Sequence, residues 1–426
     1  MTSDTTKAEG LQLENQTAVY LFDNWFDPIE TGVRERVREF INALIRQELD
    51  DALARPRYGR RRKDSGGESA ACVVGHRHGS RTRSLSGSFG KVEITVPRAR
   101  LDAGDGKTSE WRSKALRAYQ RRTVAADAVI AGVYLAGTNT RRVRRALGAL
   151  FGGAVGKDTV SRVWRKVKSD WDAWTARSLA DEPIVRLILD GTVVRVRLDR
   201  KATSISLLVV LGVREDGQKV LLAVKSMGGE SSEAWRTVLD DLARRGLRRP
   251  EFLIVDGGSG LESAIAAVWD GVPVQRCSVH KCRNLLAHAP QRLHDEIIAD
   301  YTDMIYAATP EDVEKRRKAF IAKWRLKHRA VADSLEEGGD RLFTFTRLPP
   351  SQWRSARTTN AIERLHEEFK RRIKTQTVLP SADTAAMLFW ALLASGQISM
   401  RKVDGWKTLS TPIKQTDNKQ SVYLAA

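Results

Sequence analysis

Two short apolar runs in the middle of the chain each end in a carboxylate. Residues 187–189 precede Asp190, residues 252–255 precede Asp256, and a glycine follows each acid. Apolar runs of this length bounded by turn residues predict buried β-strands. Apolar and polar residues alternate over residues 194–198, which predicts a second strand joined to the first by an Asp-Gly turn. An ionised carboxylate beside a buried strand needs a cation or strong donors, so the turn is only the simpler interpretation.

The N-terminal part of the chain combines one amphipathic helix with a small β unit. Residues 31–53 repeat apolar residues at helical spacing, and their apolar face packs either within the chain or against a second copy. Residues 72–100 have the alternation of strands, with a turn predicted at Gly79–Ser80 and the end of a strand at Pro97. We therefore expect a helix followed by a β unit with basic edges.

Three helices separated by glycines are predicted over residues 121–180, and the third is strongly basic. Such a succession of short helices resembles a helix-turn-helix unit, which places one helix in the major groove of DNA. An ordinary helical connector is the alternative. In the DNA-binding interpretation, the exposed face of the third helix carries Ser161, Arg162, Arg165 and Lys166.

The strand pattern continues after Asp190 and then gives way to helices. Residues 203–227 predict a hairpin, and residues 231–246 predict a helix with one apolar face. The helical pattern of residues 284–348 predicts an insertion into the sheet-forming region. Trp353 follows this insertion, either packed in the core or stacked on a distorted DNA base.

The net charge indicates what kind of partner to expect. The chain has 72 Lys and Arg against 52 Asp and Glu, a net charge of +20 and a pI near 10.1. The excess is uneven, with 18 basic and 6 acidic residues between positions 54 and 122. A polyanion, nucleic acid before membrane, is the predicted partner, and solvated basic faces are the alternative. The basic run 55–63 predicts a phosphate-binding arm that includes Arg60, Arg61, Arg62 and Lys63.

Apolar stretches and cysteines indicate the compartment. No run approaches the roughly 20 apolar residues of a membrane span, and no apolar signal segment opens the chain, which predicts a cytoplasmic location. Cys72, Cys277 and Cys282 form no disulfide framework, as expected in a reducing compartment. A zinc site at Cys72, His76 and His78 would lack a fourth ligand and is not favoured.

A pair of acids at strand ends predicts a divalent cation. If both strands end at one edge of a sheet, Asp190 and Asp256 approach each other, and Mg²⁺, which prefers oxygen ligands, relieves their repulsion. A third acid would complete a two-metal site. The basic helix predicted within residues 357–374 supplies Glu363 in its first turn, with Glu367 on the same face as a competitor. A solvated charged helix is the alternative for this segment.

Four segments, in their order and spacing, resemble the Mutator-type transposases of bacterial insertion sequences: LDGTVVRVR, VDGGSGL, QRCSVHKCRN and RTTNAIERLHEEFKRRIK. The resemblance implies an α/β fold: a ribonuclease-H-like catalytic core with an all-helical insertion, preceded by helical DNA-binding regions and a small β unit. It further implies a magnesium-dependent Asp-Asp-Glu transposase whose triad is Asp190, Asp256 and Glu363. Two Mg²⁺ ions would be the cofactors, with Mn²⁺ as a substitute.

The resemblance also implies a Cys-x-x-His element, here Cys277 and His280. Three interpretations stay open: a buried structural pair, a catalytic role of His280 near the scissile phosphate, and a zinc site of unusual ligand spacing. Cations on both sides of the element and on the helix of Glu363 are predicted to hold DNA phosphates. They are Arg276, Lys281, Arg283, Lys370, Arg371 and Arg372.

These patterns and the resemblance together predict seven regions along the chain. They are a helical and basic arm (1–65), a small β and linker region (66–115), a helix-turn-helix-like DNA-binding domain (116–182), the first part of the catalytic core (183–284), a helical insertion (285–350), the C-terminal helices of the core (351–405) and a tail (406–426).

The implied function is transposition. The protein would bind the terminal inverted repeats of its own element, cleave DNA and transfer strands into target DNA, through a circular intermediate. Its partners would be double-stranded DNA, at the ends and at the target, and at least one further copy of the chain, in association with the nucleoid. A ribonuclease-H-like nuclease without strand transfer is the first alternative, and a DNA-binding regulator with a decayed triad is the second.

Overall fold

The computed structural model describes residues 28–54, 74–102, 107–137, 139–153, 155–374 and 378–414. The predicted phosphate-binding residues Arg60, Arg61, Arg62 and Lys63, and also Cys72, lie outside these ranges. The chain divides into two compact units. The first comprises residues 1–134 and 139–163, and the second comprises residues 135–138 and 164–426. Helices and sheets both contribute, so the predicted α/β class is confirmed.

In the first unit a long helix packs on a three-stranded antiparallel sheet of order β1-β2-β3. Helix α1 spans Pro28–Ala52, and the strands span Val74–Gly87, Gly90–Asp102 and Thr108–Glu110. Ile45 of α1 is buried with Ile94 and Val96 of β2, and burial of side chains of this size stabilises by about 1.5–3 kcal/mol each. The predicted helix is confirmed, and this part of its apolar face packs within the chain.

Two boundaries predicted for the β unit are wrong. Gly79 lies at a bulge within β1, with φ at +123°, and the hairpin turns between Gly87 and Gly90 instead. Pro97 does not end its strand, because it pairs with Ser80 and β2 continues beyond it. Within the described residues, β3 pairs only with residues 100–102 of β2 and no strand covers the same side of β2 at Pro97, where a proline is therefore tolerated.

The three helices predicted after the β unit are present, and the second is divided in two. Helices α2, α3, α4 and α5 span Val124–Leu135, Thr140–Ala146, Gly148–Phe151 and Lys157–Ala176. On α5, Val160 and Val163 are buried. The residues predicted to face DNA, Ser161, Arg162, Arg165 and Lys166, are all exposed. Their contact with DNA stays a prediction.

The second unit is organised around a five-stranded sheet of order β6-β5-β4-β7-β8. The strands β4 to β8 span Ile184–Leu198, Lys201–Arg214, Lys219–Met227, Phe252–Val255 and Val274–Arg276. The first three are antiparallel, and β7 and β8 continue the sheet in parallel with β4. Helix α6, Ser232–Arg244, and helix α7, Ser259–Val268, supply Trp235, Leu239 and Leu261 to the core on one face of the sheet.

The Asp-Gly turn predicted at Asp190 is wrong. Strand β4 runs through this position without interruption, and Asp190 pairs with Val209 of β5. The chain reverses at Asp199 and Arg200 instead, where φ is +47° and +65°. Two successive residues with positive φ are typical of a two-residue hairpin turn that matches the twist of the strands.

Helices make up most of the remaining second unit. Helices α8 to α11 span Ser278–Ala287, His294–Ile305, Pro310–Lys327 and Arg329–Gly338. The last three lie in the segment predicted to be a helical insertion, whereas α8 begins before it. Helices α12, α13 and α14 span Trp353–Ala356, Asn360–Ile373 and Ala382–Ala394. Trp353 is only 6% exposed and its indole donates a hydrogen bond to the carbonyl of Leu348, which confirms the core interpretation. Among the described residues, none of the helices is long and apolar enough to cross a membrane.

Candidate active site

Asp190 lies within β4, and Asp256 directly follows the neighbouring parallel strand β7. Leu189 of β4 is in register with Val255, the last residue of β7, so that Asp190 is the next residue of β4 and Asp256 directly follows the end of β7. Their carboxylates have fixed orientations, since Oδ1 of Asp190 accepts a hydrogen bond from the amide of Gly191 at 2.9 Å. Oδ1 of Asp256 accepts one from the amide of Gly258, also at 2.9 Å. The predicted approach of these two acids is therefore present in the structure.

The surroundings of Asp190 disfavour the ionised form of its carboxyl. Asp190 is only 4% exposed, and burial raises the pKa of its carboxyl to about 7. This value includes the opposing effects of the neighbours, since His280 and the Gly191 amide lower the pKa of Asp190 whereas the charges of Asp256 and Glu363 raise it. Carboxylates that repel one another in a buried site favour a bound cation, because the cation relieves the repulsion.

Glu363 lies in the first turn of α13, as predicted. The helix is held to the unit by an apolar stripe formed by Ile362, Leu365 and Phe369. Oε1 of Glu363 accepts a hydrogen bond from Nη1 of Arg283 at 2.8 Å and lies 3.3 Å from Nε2 of His280. The third acid is therefore in the same site, but its carboxylate is engaged by two cationic side chains.

The Cys-x-x-His element connects this site to the start of α13. The Cys277 thiol is buried and accepts a hydrogen bond from the amide of Thr359 at 3.4 Å. A hydrogen bond to Cys277 raises the pKa of His280 to about 9, and the carboxylates of Asp190 and Glu363 contribute. Burial alone would raise the pKa of the thiol, but the hydrogen bonds from His280 and Thr359 lower it. Cys277 is thus in the interior and His280 is a cation facing the acids.

A fourth carboxylate, Glu230, adjoins the site and was not predicted. A Cβ atom at Gly191 would overlap Oε1 of Glu230, so the two residues are in close contact. Burial and the charge of Asp256 raise the pKa of Glu230, whereas His280 and a hydrogen bond from Ser206 lower it. The glycine after Asp190 is therefore explained by this close approach. In the sequence, Glu230 is marked only by its place between two glycines and the N-cap residue of α6.

The donor atoms of the three acids suit a hard cation, but they do not converge on a single point. Asp190, Asp256 and Glu363 offer only carboxylate oxygens, the ligands that Mg²⁺ prefers. Nevertheless, in the part of the chain that the structure describes, no three His, Cys, Asp or Glu side chains converge closely enough to hold a metal ion. Glu363 would have to leave Arg283 and His280 to complete a three-carboxylate site.

Two of the predicted phosphate ligands are buried in ion pairs instead. Lys281 is 3% exposed, and its Nζ lies 2.6 Å from Oε2 of Glu337. Arg276 is 8% exposed and pairs with Glu337 at 2.8 Å and with Glu262 at 3.2 Å. Its Nη2 also donates a hydrogen bond to the carbonyl of Gly257, directly after Asp256. The geometry therefore favours a structural role for both cations rather than contact with DNA.

The remaining predicted phosphate ligands have mixed surroundings. Arg283 is exposed beside Glu363, and Lys370 is exposed on α13. Arg371 and Arg372 both form ion pairs with Glu368, at 2.6 and 2.9 Å. Arg283, Lys370 and Arg371 are thus the members of this group that stay exposed, and Arg283 is the one in contact with an acid of the site.

Comparison with known proteins identifies the family. The family model described as "Transposase, Mutator family" matches residues 6–401. The transposase for insertion sequence element ISRM5 of Rhizobium meliloti is 28% identical over 99% of this chain and 98% of its own length. The transposase for IS6120 of Mycolicibacterium smegmatis is 34% identical over 66% of this chain and 85% of its own length. The transposase for IS256 in transposon Tn4001 of Staphylococcus aureus is 29% identical over 74% of this chain and 80% of its own length. The chain belongs to the Mutator family of insertion sequence transposases.

Proposed function

We propose that this transposase cleaves and joins DNA strands at a centre formed by Asp190, Asp256 and Glu363, with Mg²⁺ as the cofactor. The observation that carries the proposal is the register of β4 and β7, because it sets two acids side by side next to the helix of the third. The order and directions of β4 to β8, with β4 in the middle, support a ribonuclease-H-like core.

The chemistry proposed is in-line attack on a phosphodiester. When bound, Mg²⁺ would activate the attacking water or 3′-hydroxyl and stabilise charge on the leaving oxygen. Asp190 and Asp256 would hold the metal from the two strands, and Glu363 would join them after exchanging its present partners. Arg283, whose side chain is 60% exposed, would then be available to a DNA phosphate. Glu230 would add negative charge beside Asp190.

The proposed substrates are the terminal inverted repeats of the element and the target DNA. Strand transfer through a circular intermediate and assembly of at least two copies on paired ends belong to the same proposal. The net charge of +20 supports duplex DNA as the partner, since it favours association with a polyanion.

The test is a two-stage assay with DNA fragments that carry the flanks of the element. The protein is expected to nick the ends in the presence of Mg²⁺ and to join pre-cleaved 3′ ends to a target plasmid. Nicking without joining would favour the nuclease alternative. Neither reaction with Mg²⁺ or Mn²⁺ would contradict the proposed function.

His280 is expected to act in the reaction rather than only in the fold. His280→Ala should slow cleavage by about 10²-fold, because the cationic side chain that faces Asp190 is lost from the reacting site. The pKa of His280 is raised from 6.5 to about 9, so its interactions with Cys277 and with the acids stabilise the fold fully below pH 6.5 and cease to do so as pH rises through 9. The stability lost in the variant should therefore be near 1 kcal/mol at pH 6 and vanish near pH 10.

The matched control is His288→Ala, which removes an exposed histidine from the end of the same helix. Single-turnover cleavage and urea denaturation of both variants separate the two roles. Unchanged cleavage in His280→Ala, together with a loss of stability, would favour the structural interpretation of the Cys-x-x-His element.

A further inference from the structure

The first unit has a basic groove whose lining residues do not belong to the acidic site. Of the residues predicted to face DNA on α5, only Arg162 lines this groove. We call it the β1 groove. It encloses about 540 Å³, and every residue that lines it carries either a cationic group or a hydroxyl group. The cationic residues are Arg81, Arg83, Lys91, Arg121, Arg122 and Arg162.

The backbone around the β1 groove is fixed by main-chain pairing. Strand β1 supplies Arg81 and Arg83, and β2 supplies Lys91. The segment with Arg121 and Arg122 is tied to β1, because the amide of Ser86 donates a hydrogen bond to the carbonyl of Arg121 at 2.9 Å. Sites on paired strands hold their side chains more firmly than sites on free loops. The positions of these cations are thus set by the fold.

The charges of the β1 groove are only partly compensated. Arg122 pairs with Asp127 at 2.6 Å, and Arg83 donates a hydrogen bond to the carbonyl of Gln120 at 2.6 Å. In the described ranges, Arg81, Lys91 and Arg121 form no ion pair. Burial, and then the neighbouring charges of Arg81 and Arg121, lower the pKa of Arg83, as expected where like charges crowd together. A bound polyanion would relieve this repulsion.

Tyr119 gives the β1 groove a second kind of contact. The residue is 88% exposed, and its backbone has a φ of +61°. A non-glycine residue in this conformation is strained, and such strain persists where the surrounding structure requires it. Tyr119, Arg81 and Arg83 also line an adjacent cavity of about 290 Å³, which adds Arg112 and the ion pair of Arg98 with Glu110 at 3.1 Å. Cations and an exposed aromatic ring therefore continue beyond the β1 groove.

We infer that the β1 groove binds the sugar-phosphate backbone of duplex DNA, with the Tyr119 ring against a sugar or a base. A single phosphate ion engages two or three cations, whereas a row of cations and hydroxyl groups matches successive phosphates of a strand. The inference rests on the proposed function, which supplies duplex DNA as the partner. It makes the β sheet of the first unit a DNA-binding element in addition to the predicted helix α5.

The test measures binding of the full chain to an end-containing duplex by fluorescence anisotropy, in EDTA so that no cleavage occurs. Arg81→Gln with Arg121→Gln should weaken binding about 10- to 100-fold at 0.1 M salt and flatten the plot of log affinity against log salt by about two. Tyr119→Ala should weaken binding severalfold without changing that slope, because a stacking contact releases no counterion. The two arginines are exposed, so the double variant is expected to melt like the parent.

The matched control is Arg38→Gln with Arg46→Gln, which removes two exposed charges from α1 of the same unit. Equal losses of affinity in both double variants would overturn the inference in favour of general charge attraction, and so would parent-like binding by Arg81→Gln with Arg121→Gln. Tighter binding of a duplex RNA through the same two arginines would reassign the β1 groove to RNA. If the parent itself does not bind the duplex, the DNA partner of the proposed function fails, and the groove inference fails with it.

Discussion

Asp190→Asn, Asp256→Asn and Glu363→Gln should each reduce DNA strand cleavage at least a thousandfold, a loss of about 4 kcal/mol or more of transition-state stabilisation. Each substitution removes a carboxylate oxygen that is proposed to hold Mg²⁺, and the remaining two acids cannot complete the site. Binding to the end duplex should stay within about threefold of the parent. Single-turnover cleavage and anisotropy binding, measured on the same preparations, check both statements.

The chain offers matched controls for this first prediction. Glu367→Gln changes an exposed acid one turn beyond Glu363 on the same helix, and Asp270→Asn changes an exposed aspartate just after α7. Both control variants should cleave at the parental rate. Retained cleavage in any of the three site variants would remove that residue from the proposed centre.

The second prediction is that Glu337→Gln lowers the free energy of unfolding by about 2–3 kcal/mol. Lys281 has only 4% of its side chain exposed, and Glu337 is its partner at 2.6 Å. Removing one partner of a buried pair leaves an uncompensated charge, which costs about 3–5 kcal/mol when both are buried. The expected loss is smaller here, because 61% of the Glu337 side chain is exposed. Urea denaturation at pH 7 measures it.

The neighbouring residue provides the control for this second prediction. Glu336 pairs with Arg325 on the surface, with 41% and 54% of the two side chains exposed, and such pairs contribute about 0–1 kcal/mol. Glu336→Gln should therefore be almost neutral. Lys281→Met added to Glu337→Gln should recover part of the loss, since it removes the buried charge. Equal costs for Glu336→Gln and Glu337→Gln would contradict the burial argument.

Local patterns predicted the elements that carry the acids, but they misplaced one turn. The segment around Asp190 is apolar up to Leu189 and alternates after Val194, and the change between these patterns suggested a turn. The structure shows instead one strand covered on both faces in its first half and more open in its second half. Apolar and polar residues alternate where only one face of the strand is covered by other elements. Which faces are covered depends on helices far away in the sequence. The glycine after Asp190 reflects the approach of Glu230, 39 positions later in the sequence.

The burial of Arg276 and Lys281 could not be predicted, because it depends on a partner that is distant in the sequence. Arg276 and Lys281 stand in a basic segment and have the composition of phosphate ligands. Their burial follows from Glu337 on α11, which the insertion brings back to the core. By contrast, the start of α13 could be predicted, because helix periodicity determines it locally.

The central claim is that the acids form one metal centre, and binding of Mn²⁺, followed by electron paramagnetic resonance, tests it most directly. In the presence of the end duplex, the parent should bind two Mn²⁺ ions per chain, and Mg²⁺ should displace them. Asp190→Asn and Asp256→Asn should lose at least one ion, while Glu367→Gln should bind both. Equal Mn²⁺ binding by the parent and the two aspartate variants, or DNA cleavage that persists in EDTA, would contradict the account.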